Sequence, residues 1–456
     1  MRRTWLGTLA VGLAGVAIGF LLRDTTQASA ASAAGAPIGV FSVTEQLGQT
    51  IAQIERSYVD PVERTRLLNG AIRGMVNELD PHSSFMTEPE YKAFQEESEG
   101  KFAGIGVELD TRDGVLLVVA PIEGSPAERA GIRSGDRIVS IDDVDVTAHP
   151  FERVARRMRG VPGTKVKLGI VRLGEKRPLS FDIVRAEIHV PSVASKLLTG
   201  NIGYLRLKQF QEGTADEFVA HVGRLRDAAK GKGTAPLAGV LIDMRANPGG
   251  FVDEATAIAD ECLDEGVIYT TRGRGQVLEE AKAEPGGSLV AMPIVVMVNE
   301  WTASASELLA GALRDHGRAL IVGSPTFGKG SVQAIVSLPF GAGLKLTIAR
   351  YYTPLGSAIQ AHGLEPDLFV RTAFDPSIKR EGDLEGHLTG EGKKPTPKGP
   401  NGKGPHVIDA GKDEEVPLIA DVRAIPDDPR KGKDLVLNTA YQTLRDVVIP
   451  RAKRKR

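Results

Sequence analysis

The sequence of 456 residues has a single cysteine and almost no net charge. With Cys262 alone, no disulfide bond can form within the chain, and no motif supports this residue as a nucleophile. A formal net charge of −1 gives no electrostatic reason to expect nucleic acid as a partner. The basic end, residues 451–456, is interpreted as a solvated tail. The composition therefore gives no support for a disulfide scaffold or a nucleic-acid-binding protein.

Metal-ligand motifs are also missing, since the sequence contains neither His-x-x-x-His nor Cys-x-x-Cys. We expect no metal and no cofactor. A Ser-His-Asp triad of Ser304, His316 and Asp315 fails on distance, because side chains 11 and 12 residues along one helix lie roughly 17 Å away. A hydrophobic content of 41% is typical of a globular protein, and the length predicts two or three domains.

The segment Thr-Ala-Ser-Ala-Ser-Glu at residues 302–307 is the first candidate for chemistry. Apolar residues behind it predict a helix, which puts Ser304 where a helix begins and backbone N–H groups are unpaired. An anion that develops there would be stabilised. The pattern of Ser304 followed three residues later by Glu307 is also that of a helix capping box, so it does not by itself establish a nucleophile.

The segment Thr-Phe-Gly-Lys-Gly-Ser-Val-Gln at residues 326–333 supplies a base. A serine hydroxyl needs a base to take its proton, and a lysine can serve only if burial or a nearby cation lowers its pKa. Phe327 and Val332 can exclude water, and the glycines around Lys329 allow a tight bend. An isolated lysine is more often a solvated surface residue. The two segments together predict acyl transfer by a Ser/Lys pair.

This combination resembles the carboxyl-terminal processing proteases, or tail-specific proteases, which are serine endopeptidases with a Ser/Lys dyad and an embedded PDZ domain. In that family the lysine lies 25 residues after the nucleophile, as Lys329 does after Ser304 but not after Ser306. The resemblance therefore implies Ser304 as nucleophile, Lys329 as general base and Gln333 as the amide that orients the lysine. Gln333 would share a face with Lys329 if the segment were helical, although Gly330 argues against a regular helix.

A third segment, residues 239–250, predicts a buried strand that runs into the turn Asn-Pro-Gly-Gly. Alone it has the pattern of a simple strand-to-helix turn. The resemblance implies an oxyanion hole formed by the N–H groups of Gly250 and Ala305, with Gly249 as the alternative to Gly250. Each such donor is worth on the order of 3 kcal/mol. Trp301 departs from the family, in which this position is commonly glycine.

The segment Phe-Ala-Gly-Ile-Gly-Val at residues 102–107 resembles the carboxylate-binding loop of PDZ domains, although by itself it is also typical of an ordinary strand turn. The backbone N–H groups of this loop would bind a terminal carboxylate, and the next strand edge could accept a peptide strand. The loop residues implied in binding are Gly104, Ile105, Gly106 and Val107. Arg159 either relays the occupancy of this domain to the protease core or is an exposed residue at a helix end, stabilised by the helix dipole.

Further short elements support a PDZ-like domain. Strands are predicted at residues 116–120, 135–141, 164–171 and 179–184, and helices at 124–131 and 150–159.

The N-terminus has the features of an export signal, because Arg2 and Arg3 precede an uncharged, mostly apolar stretch at residues 5–22. Small residues at 27–34 offer cleavage sites, while the length of the stretch also suits an uncleaved membrane anchor. Either interpretation places the rest of the chain outside the cytoplasm, in the periplasm or cell envelope. His82 is interpreted as a structural turn residue.

The expected fold is mixed α/β (α+β), with a protease core of mixed sheet and helices, an inserted PDZ-like domain, and helical N- and C-terminal elements. The predicted divisions are a signal peptide or anchor at 1–36, a helical region for packing or dimerisation at 37–101, the PDZ-like domain at 102–187, the catalytic core at 188–373, a disordered linker at 374–415 and a C-terminal helical element with a basic tail at 416–456.

The predicted function is that of an exported serine endopeptidase that cleaves proteins selected by their free C-terminal tails. A second copy of the chain or an adaptor protein is a further candidate partner. The alternative is a non-catalytic envelope scaffold that binds peptides through its PDZ domain. Intact Ser304, Lys329 and Gln333 favour the enzyme.

Overall fold

The computed structural model describes residues 39–112, 115–122, 124–147, 149, 151–231, 236–371, 378–394, 396, 406–409 and 422–455. The predicted signal or anchor at 1–36 lies outside these ranges. The chain divides into two compact units, Met1–Gly74 and Met75–Arg456. Among the described helices, none is both long enough and apolar enough to cross a membrane.

The first unit is helical where it is described. Helix α1 spans Val40–Ser57 and has no buried residue, and helix α2 spans Arg64–Asn77 across the boundary between the units. An ion pair of 2.7 Å joins Arg64 to Glu55. Helices thus lie where the apolar spacing predicts them, and a role in packing or dimerisation stays a prediction.

The centre of the second unit is a seven-stranded sheet in the order β10-β11-β12-β15-β16-β19-β20. Strand β10 runs antiparallel to β11, and the other neighbours are parallel. Its strands are β10 Val193–Leu198, β11 Ile202–Leu207, β12 Gly239–Asp243, β15 Ile294–Val298, β16 Ala319–Gly323, β19 Leu368–Arg371 and β20 His406–Asp409. Because β12 and β15 are buried on both faces, they read as continuous apolar runs in the sequence.

Helices cover both faces of this sheet. One face carries α6 Thr214–Gly231, α7 Val252–Cys262 and α8 Ala305–Asp315. The other carries α9 Leu435–Thr443, which continues through a π-helical turn at Leu444–Val448 into α10 Ile449–Lys455. The predicted C-terminal apolar spacing thus forms a helix that packs on the core, with Asp434 accepting the Leu437 N–H at its N-cap.

A second, five-stranded sheet carries the lysine segment. Its order is β1-β18-β13-β14, with β17 paired to β18. The strands are β1 Ser84–Met86, β13 Val267–Gly273, β14 Gln276–Lys282, β17 Ser331–Ser337 and β18 Gly343–Tyr352. Strand β1 comes from the predicted N-terminal helical region and pairs with residues 343–345 of β18. Helix α3, Glu88–Ser98, follows it.

The PDZ-like domain has its own apolar core and a six-stranded antiparallel sheet. Its elements are β3 Val107–Arg112, β4 Val115–Pro121, α4 Pro126–Ala130, β5 Arg137–Ile141, β6 Val144–Asp145, α5 Phe151–Met158, β7 Lys165–Val171 and β8 Leu179–Val184. The chain enters and leaves through a two-stranded ribbon, β2 Lys101–Gly104 with β9 Ala186–His189. The predicted strands and helices follow one another in the predicted order, and the short strand β6 is an element that the sequence did not predict.

The predicted disordered linker at 374–415 needs correction in its described part. Residues 406–409 form β20, which pairs with β19, and residues 378–394 fold against the core. Glu381 is fully buried there and accepts a hydrogen bond from Gln360. The prediction counted apolar side chains, whereas this segment is held by buried polar contacts. The rest of the predicted linker lies outside the described residues.

Candidate active site

Ser304 lies directly before helix α8, in the connection that follows strand β15. Its backbone angles are φ 58° and ψ −121°, a region that non-glycine residues rarely adopt. Such strain persists only where surrounding contacts hold it, and it occurs often at active sites. Here the neighbouring Ala303 N–H donates to the Asn247 carbonyl oxygen at 3.0 Å. The serine is 8% exposed and borders a cleft.

The carboxylate of Glu307 joins the serine segment to the lysine segment. Its Oε2 accepts the Ser304 N–H at 2.8 Å and the Lys329 N–H at 2.9 Å, while its Oε1 accepts the Gly328 N–H at 2.7 Å. Burial raises the pKa of Glu307 to about 7, and these hydrogen bonds oppose the rise. The glutamate does reach back to the Ser304 N–H as in a capping box, but its contacts with the lysine segment go beyond that role.

Lys329 is mostly buried and donates a hydrogen bond from Nζ to Gln333 Oε1 at 2.6 Å. Burial is the largest cause that lowers the pKa of its ammonium, and the nearby cation of Lys345 lowers it as well. The carboxylates of Glu381, Glu307 and Asp80 act in the opposite direction, which leaves the pKa at about 8. A neutral amine is therefore populated close to neutral pH.

Gln333 contacts Lys329 for a reason that differs from the sequence prediction. The glutamine lies in strand β17, so a shared helical face is wrong, and the bend before the strand brings the two side chains together. The Gln333 Nε2 donates to Ser331 Oγ at 2.9 Å and to Thr347 Oγ1 at 3.1 Å. These two acceptors turn the amide oxygen toward the lysine.

The turn at residues 247–250 packs directly against the serine. Gly249 has φ 99°, and a Cβ added to it would lie 2.8 Å from Ser304 Cβ, so no larger residue fits. The Gly249 N–H donates to Asn247 Oδ1 at 2.9 Å. Within the described ranges, the structure gives no protein acceptor to the N–H groups of Gly250 or Ala305. Of the two glycines, Gly250 thus keeps its N–H available.

A partner that the sequence did not reveal lies behind the lysine. His82 Nε2 is 2.7 Å from Glu381 Oε2, although the two residues are 299 positions apart. Asp80, two residues before His82, contacts Thr347. No local pattern links these residues, because the contact depends on strand β1 joining the sheet of β18. His82 is a turn residue as predicted, but it has a buried partner.

The cleft beside these groups has a volume of about 630 Å³ and is open to solvent. Ser304, Lys329 and Gln333 line it together with Gly249 and Gly250. Its apolar lining includes Phe94, Phe210, Phe251, Val332 and Ile335, with Tyr269 beside them. Trp301 is 48% exposed and does not line this cleft. A chain segment with apolar side chains is the kind of molecule that such a groove can hold.

The predicted carboxylate loop begins where β2 ends. Ile105 is 2% exposed and Gly106 has φ 78°. The carbonyl oxygens of both accept hydrogen bonds, from Ala127 N–H at 2.9 Å and Ile122 N–H at 3.0 Å. Gly104 pairs with Ala186 in the ribbon, and Val107 begins β3, the end strand of the domain's sheet. Peptide binding at this loop stays a prediction.

Arg159 lies directly after helix α5 and is about half exposed. Its guanidinium is 3.8 Å from the Glu96 carboxylate of helix α3 and 5.4 Å from the centre of the Phe102 ring. Helix α3 also supplies Phe94 to the cleft. The contact joins the PDZ-like domain to an element of the cleft, but a relay of occupancy through it stays a prediction.

Three family models match segments of the chain. Residues 201–370 match peptidase family S41, residues 117–172 match a PDZ domain, and residues 20–89 match the activating protease CtpB N-terminal domain. Among solved structures, a photosystem II D1 C-terminal processing protease is 28% identical and covers 71% of this chain and 91% of its own, with a TM-score of 0.42.

Curated relatives extend the likeness over most of the chain. A carboxy-terminal-processing protease of Bartonella bacilliformis is 36% identical, covering 88% of both chains. The carboxy-terminal processing protease CtpB of Bacillus subtilis is 33% identical, covering 80% of this chain and 76% of its own. The fold, the PDZ domain and these relatives agree, and the chain belongs to the carboxy-terminal processing proteases of peptidase family S41.

Proposed function

We propose that the protein is a serine endopeptidase in which Ser304 is the nucleophile and Lys329 the general base. The observation that carries this proposal is a mostly buried lysine with a pKa lowered to about 8, in the same cleft as a serine on a strained turn. A base is most effective when its pKa lies near the working pH. The oriented lysine and the open cleft favour an enzyme over an inert scaffold.

These side chains, two backbone N–H groups and water suffice for the cleavage of a peptide bond. The neutral Lys329 amine takes the Ser304 hydroxyl proton while Oγ attacks the scissile carbonyl carbon. The N–H groups of Gly250 and Ala305 donate hydrogen bonds to the oxyanion that forms. The Lys329 ammonium then returns the proton to the leaving amine as the C–N bond breaks. Water then hydrolyses the acyl-enzyme, with Lys329 acting again as base. Gln333 holds the lysine amine in place.

Active-site labelling tests this assignment. A fluorophosphonate probe is expected to modify Ser304 of the wild type, as located by mass spectrometry, and to leave Ser304→Ala unmodified. Ser306 is the matched neighbour, and its hydroxyl donates to the Asn247 carbonyl oxygen at 3.1 Å. Label on Ser306, or cleavage of an unfolded test protein by Ser304→Ala at the wild-type rate, would contradict the proposal.

The PDZ domain and the relatives fit the binding of peptide substrates. We propose that this domain selects chains by a free, apolar C-terminal tail through residues 104–107 and the edge of β3. Cleavage of one peptide with a free or an amidated C-terminus tests the idea, and equal rates would refute carboxylate recognition.

The domain can act on cleavage in two ways that differ in their kinetics. A pure tether raises the local substrate concentration only, whereas a switch through Arg159 changes turnover at saturating substrate.

Export is part of the proposal and is supported by the sequence of residues 2–34 alone. Cell fractionation tests it, with recovery in the envelope or periplasm expected. A protein recovered only with cytoplasmic markers would overturn this part without affecting the chemistry.

A further inference from the structure

A chain of hydrogen bonds leads from the lysine to a carboxylate outside the matched peptidase segment. Lys329 Nζ donates to Gln333 Oε1 at 2.6 Å, and Gln333 Nε2 donates to Thr347 Oγ1 at 3.1 Å. Thr347 Oγ1 in turn donates to Asp80 Oδ1 at 3.0 Å. Thr347 lies opposite Gln333 in the register of β17 and β18. Asp80 precedes β1, so the chain of bonds connects three separate segments.

Asp80 is held firmly in this position. Its Oδ1 accepts the N–H groups of His82 and Ser83, both at 2.9 Å, and its Oδ2 accepts the Ser83 hydroxyl at 2.7 Å. The residue is 7% exposed. Burial would raise the pKa of the Asp80 carboxyl, but these hydrogen bonds and the one from Thr347 outweigh it, so the pKa is lowered. The group is therefore an anion, and it can only accept hydrogen bonds.

The direction of each bond follows from that anion. Since Asp80 takes the Thr347 hydroxyl proton, the Thr347 oxygen is left to accept, and the side-chain group of Gln333 that faces it must be the NH₂. The amide oxygen of Gln333 must then face the lysine amine. With no acceptor at Asp80, the Thr347 hydroxyl proton could turn toward Gln333 and favour the flipped amide, because the Ser331 hydroxyl, the other acceptor of the Gln333 NH₂, can donate as well as accept. A flipped amide would present its NH₂ to Lys329, which leaves the ammonium form without its acceptor and occupies the lone pair that the neutral amine needs as a base.

We propose that Asp80 and Thr347 are positioning residues for the general base, acting on Lys329 through the orientation of the Gln333 amide. The inference rests on the proposed function, because it assigns a task to residues behind the proposed base. It also gives the turn at residues 80–83 a part in catalysis, although this turn lies outside the segment that matches the peptidase family.

Substitutions at Thr347 test the hydroxyl. Thr347→Val keeps the shape but removes the hydrogen bonds of the hydroxyl with Asp80, Gln333 and Ser83. We expect kcat to fall on the order of 10- to 100-fold with KM almost unchanged. Thr347→Ser keeps the hydroxyl and should restore kcat to within about threefold of the wild type. Thr147→Val is the matched control, since the exposed Thr147 hydroxyl donates to Asp145 at 2.6 Å in the PDZ-like domain.

Asp80→Asn tests the charge. The charged groups that act on Lys329 are Lys345 and the carboxylates of Asp80, Glu307 and Glu381. Removal of the Asp80 charge should lower the midpoint of the pH profile of kcat/KM, because one group that raises the lysine pKa is lost. Thr347→Val keeps that charge and should leave the midpoint unchanged while kcat falls. A merely structural role would not separate the two variants in this way.

The outcomes separate the two proposals. If Ser304→Ala and Lys329→Ala are inactive, two results would overturn the positioning role. One is a wild-type kcat in Thr347→Val, and the other is a kcat in Thr347→Ser as low as that of Thr347→Val. Wild-type cleavage by Lys329→Ala would instead overturn the proposed function. Rates are expressed per site that the fluorophosphonate probe labels at saturation, so misfolded protein does not count toward kcat. A variant with no labelled sites but native thermal unfolding would also contradict positioning, because that role slows Ser304 without removing it.

Discussion

Two buried cations show how the same kind of charge serves different tasks in this protein. Arg245 follows strand β12 and donates to carboxylates on both sides, at 2.7 Å to Asp243 and 2.8 Å to Asp434. Lys329 donates instead to the neutral amide of Gln333 at 2.6 Å. Burial would lower the pKa of Arg245, but the two carboxylates outweigh it and raise that pKa, whereas burial lowers the pKa of Lys329 to about 8.

The difference lies in the side chain and in its partner. A guanidinium keeps its proton in proteins, and two carboxylates hold it still more firmly, so Arg245 acts as a clamp that joins the central sheet to the N-cap of helix α9. A cation bound to an amide has no counter-ion in direct contact and can release its proton at moderate cost. Only the second arrangement can take part in proton transfer.

The largest effect is expected from removal of the lysine. Lys329→Met should lower kcat/KM on the order of 10⁴-fold or more, because the nucleophile loses its base. Peptide cleavage under saturating and limiting substrate measures the loss. A variant that retains a tenth of wild-type activity would contradict the role of Lys329.

The same variant should be more stable. The unfolded chain holds the lysine proton more tightly than the folded chain, so the stability of the wild type rises with pH between about 8 and 10.5. At pH 7 the folded wild type bears the full free-energy cost of a buried, charged lysine. Lys329→Met should raise the free energy of unfolding at pH 7 by roughly 2 kcal/mol, less than the pKa shift alone would give because cleft water reaches the amine. Denaturant unfolding at pH 7 and pH 10 measures the gain, which should shrink at the higher pH. A loss of stability would contradict this account.

Arg245→Met should have the opposite effect on stability. Removing Arg245 takes away the cation that Asp434 binds and leaves Arg206 as the remaining cation at Asp243, which costs about 3–5 kcal/mol. Urea unfolding monitored by circular dichroism tests this. An unchanged midpoint would show that the clamp contributes little.

Gln333→Glu converts the lysine site toward the arginine arrangement. A carboxylate beside Lys329 should raise the lysine pKa by about 1–3 units, and activity at pH 7 should fall while part of it returns at higher pH. The pH profile of kcat/KM measures this, with Gln333→Ala to separate loss of the hydrogen bond from gain of charge. A profile that matches Gln333→Ala would argue against control by charge.

Asp434→Asn is expected to give the smallest change. The amide keeps one acceptor for Arg245 and for the Leu437 N–H, so the loss should be about 1–2 kcal/mol. Thermal unfolding checks it. A loss as large as that of Arg245→Met would show that Asp434, rather than the pair with Asp243, carries most of the clamp.

Much of the site can be predicted from local sequence. Ser304 before a helix, Lys329 between glycines and the glycine turn at 247–250 are all encoded within short segments. The PDZ-like elements follow from strand periodicity and turn residues in the same way. The helix start and the bends lie where the sequence predicts them because each depends on a constraint that is itself local.

The remaining contacts depend on tertiary structure. Gln333 meets the lysine from a strand, since the pairing of β17 with β18 overrides a helical interpretation. The segment around Glu381 looks disordered by composition, yet its buried carboxylate is satisfied by His82 and Gln360. Asp80 is 267 residues from Thr347, and no periodicity links them. Such contacts are set by strand pairing, which short motifs do not specify.

The pH dependence of Ser304 labelling tests the central claim most directly. The second-order rate of fluorophosphonate modification should rise with a single midpoint near pH 8, the pKa that burial gives Lys329, and Gln333→Glu should move that midpoint upward. A rate that follows a group titrating near 6.5, or one that is independent of pH in both proteins, would contradict the assignment of Lys329 as the base.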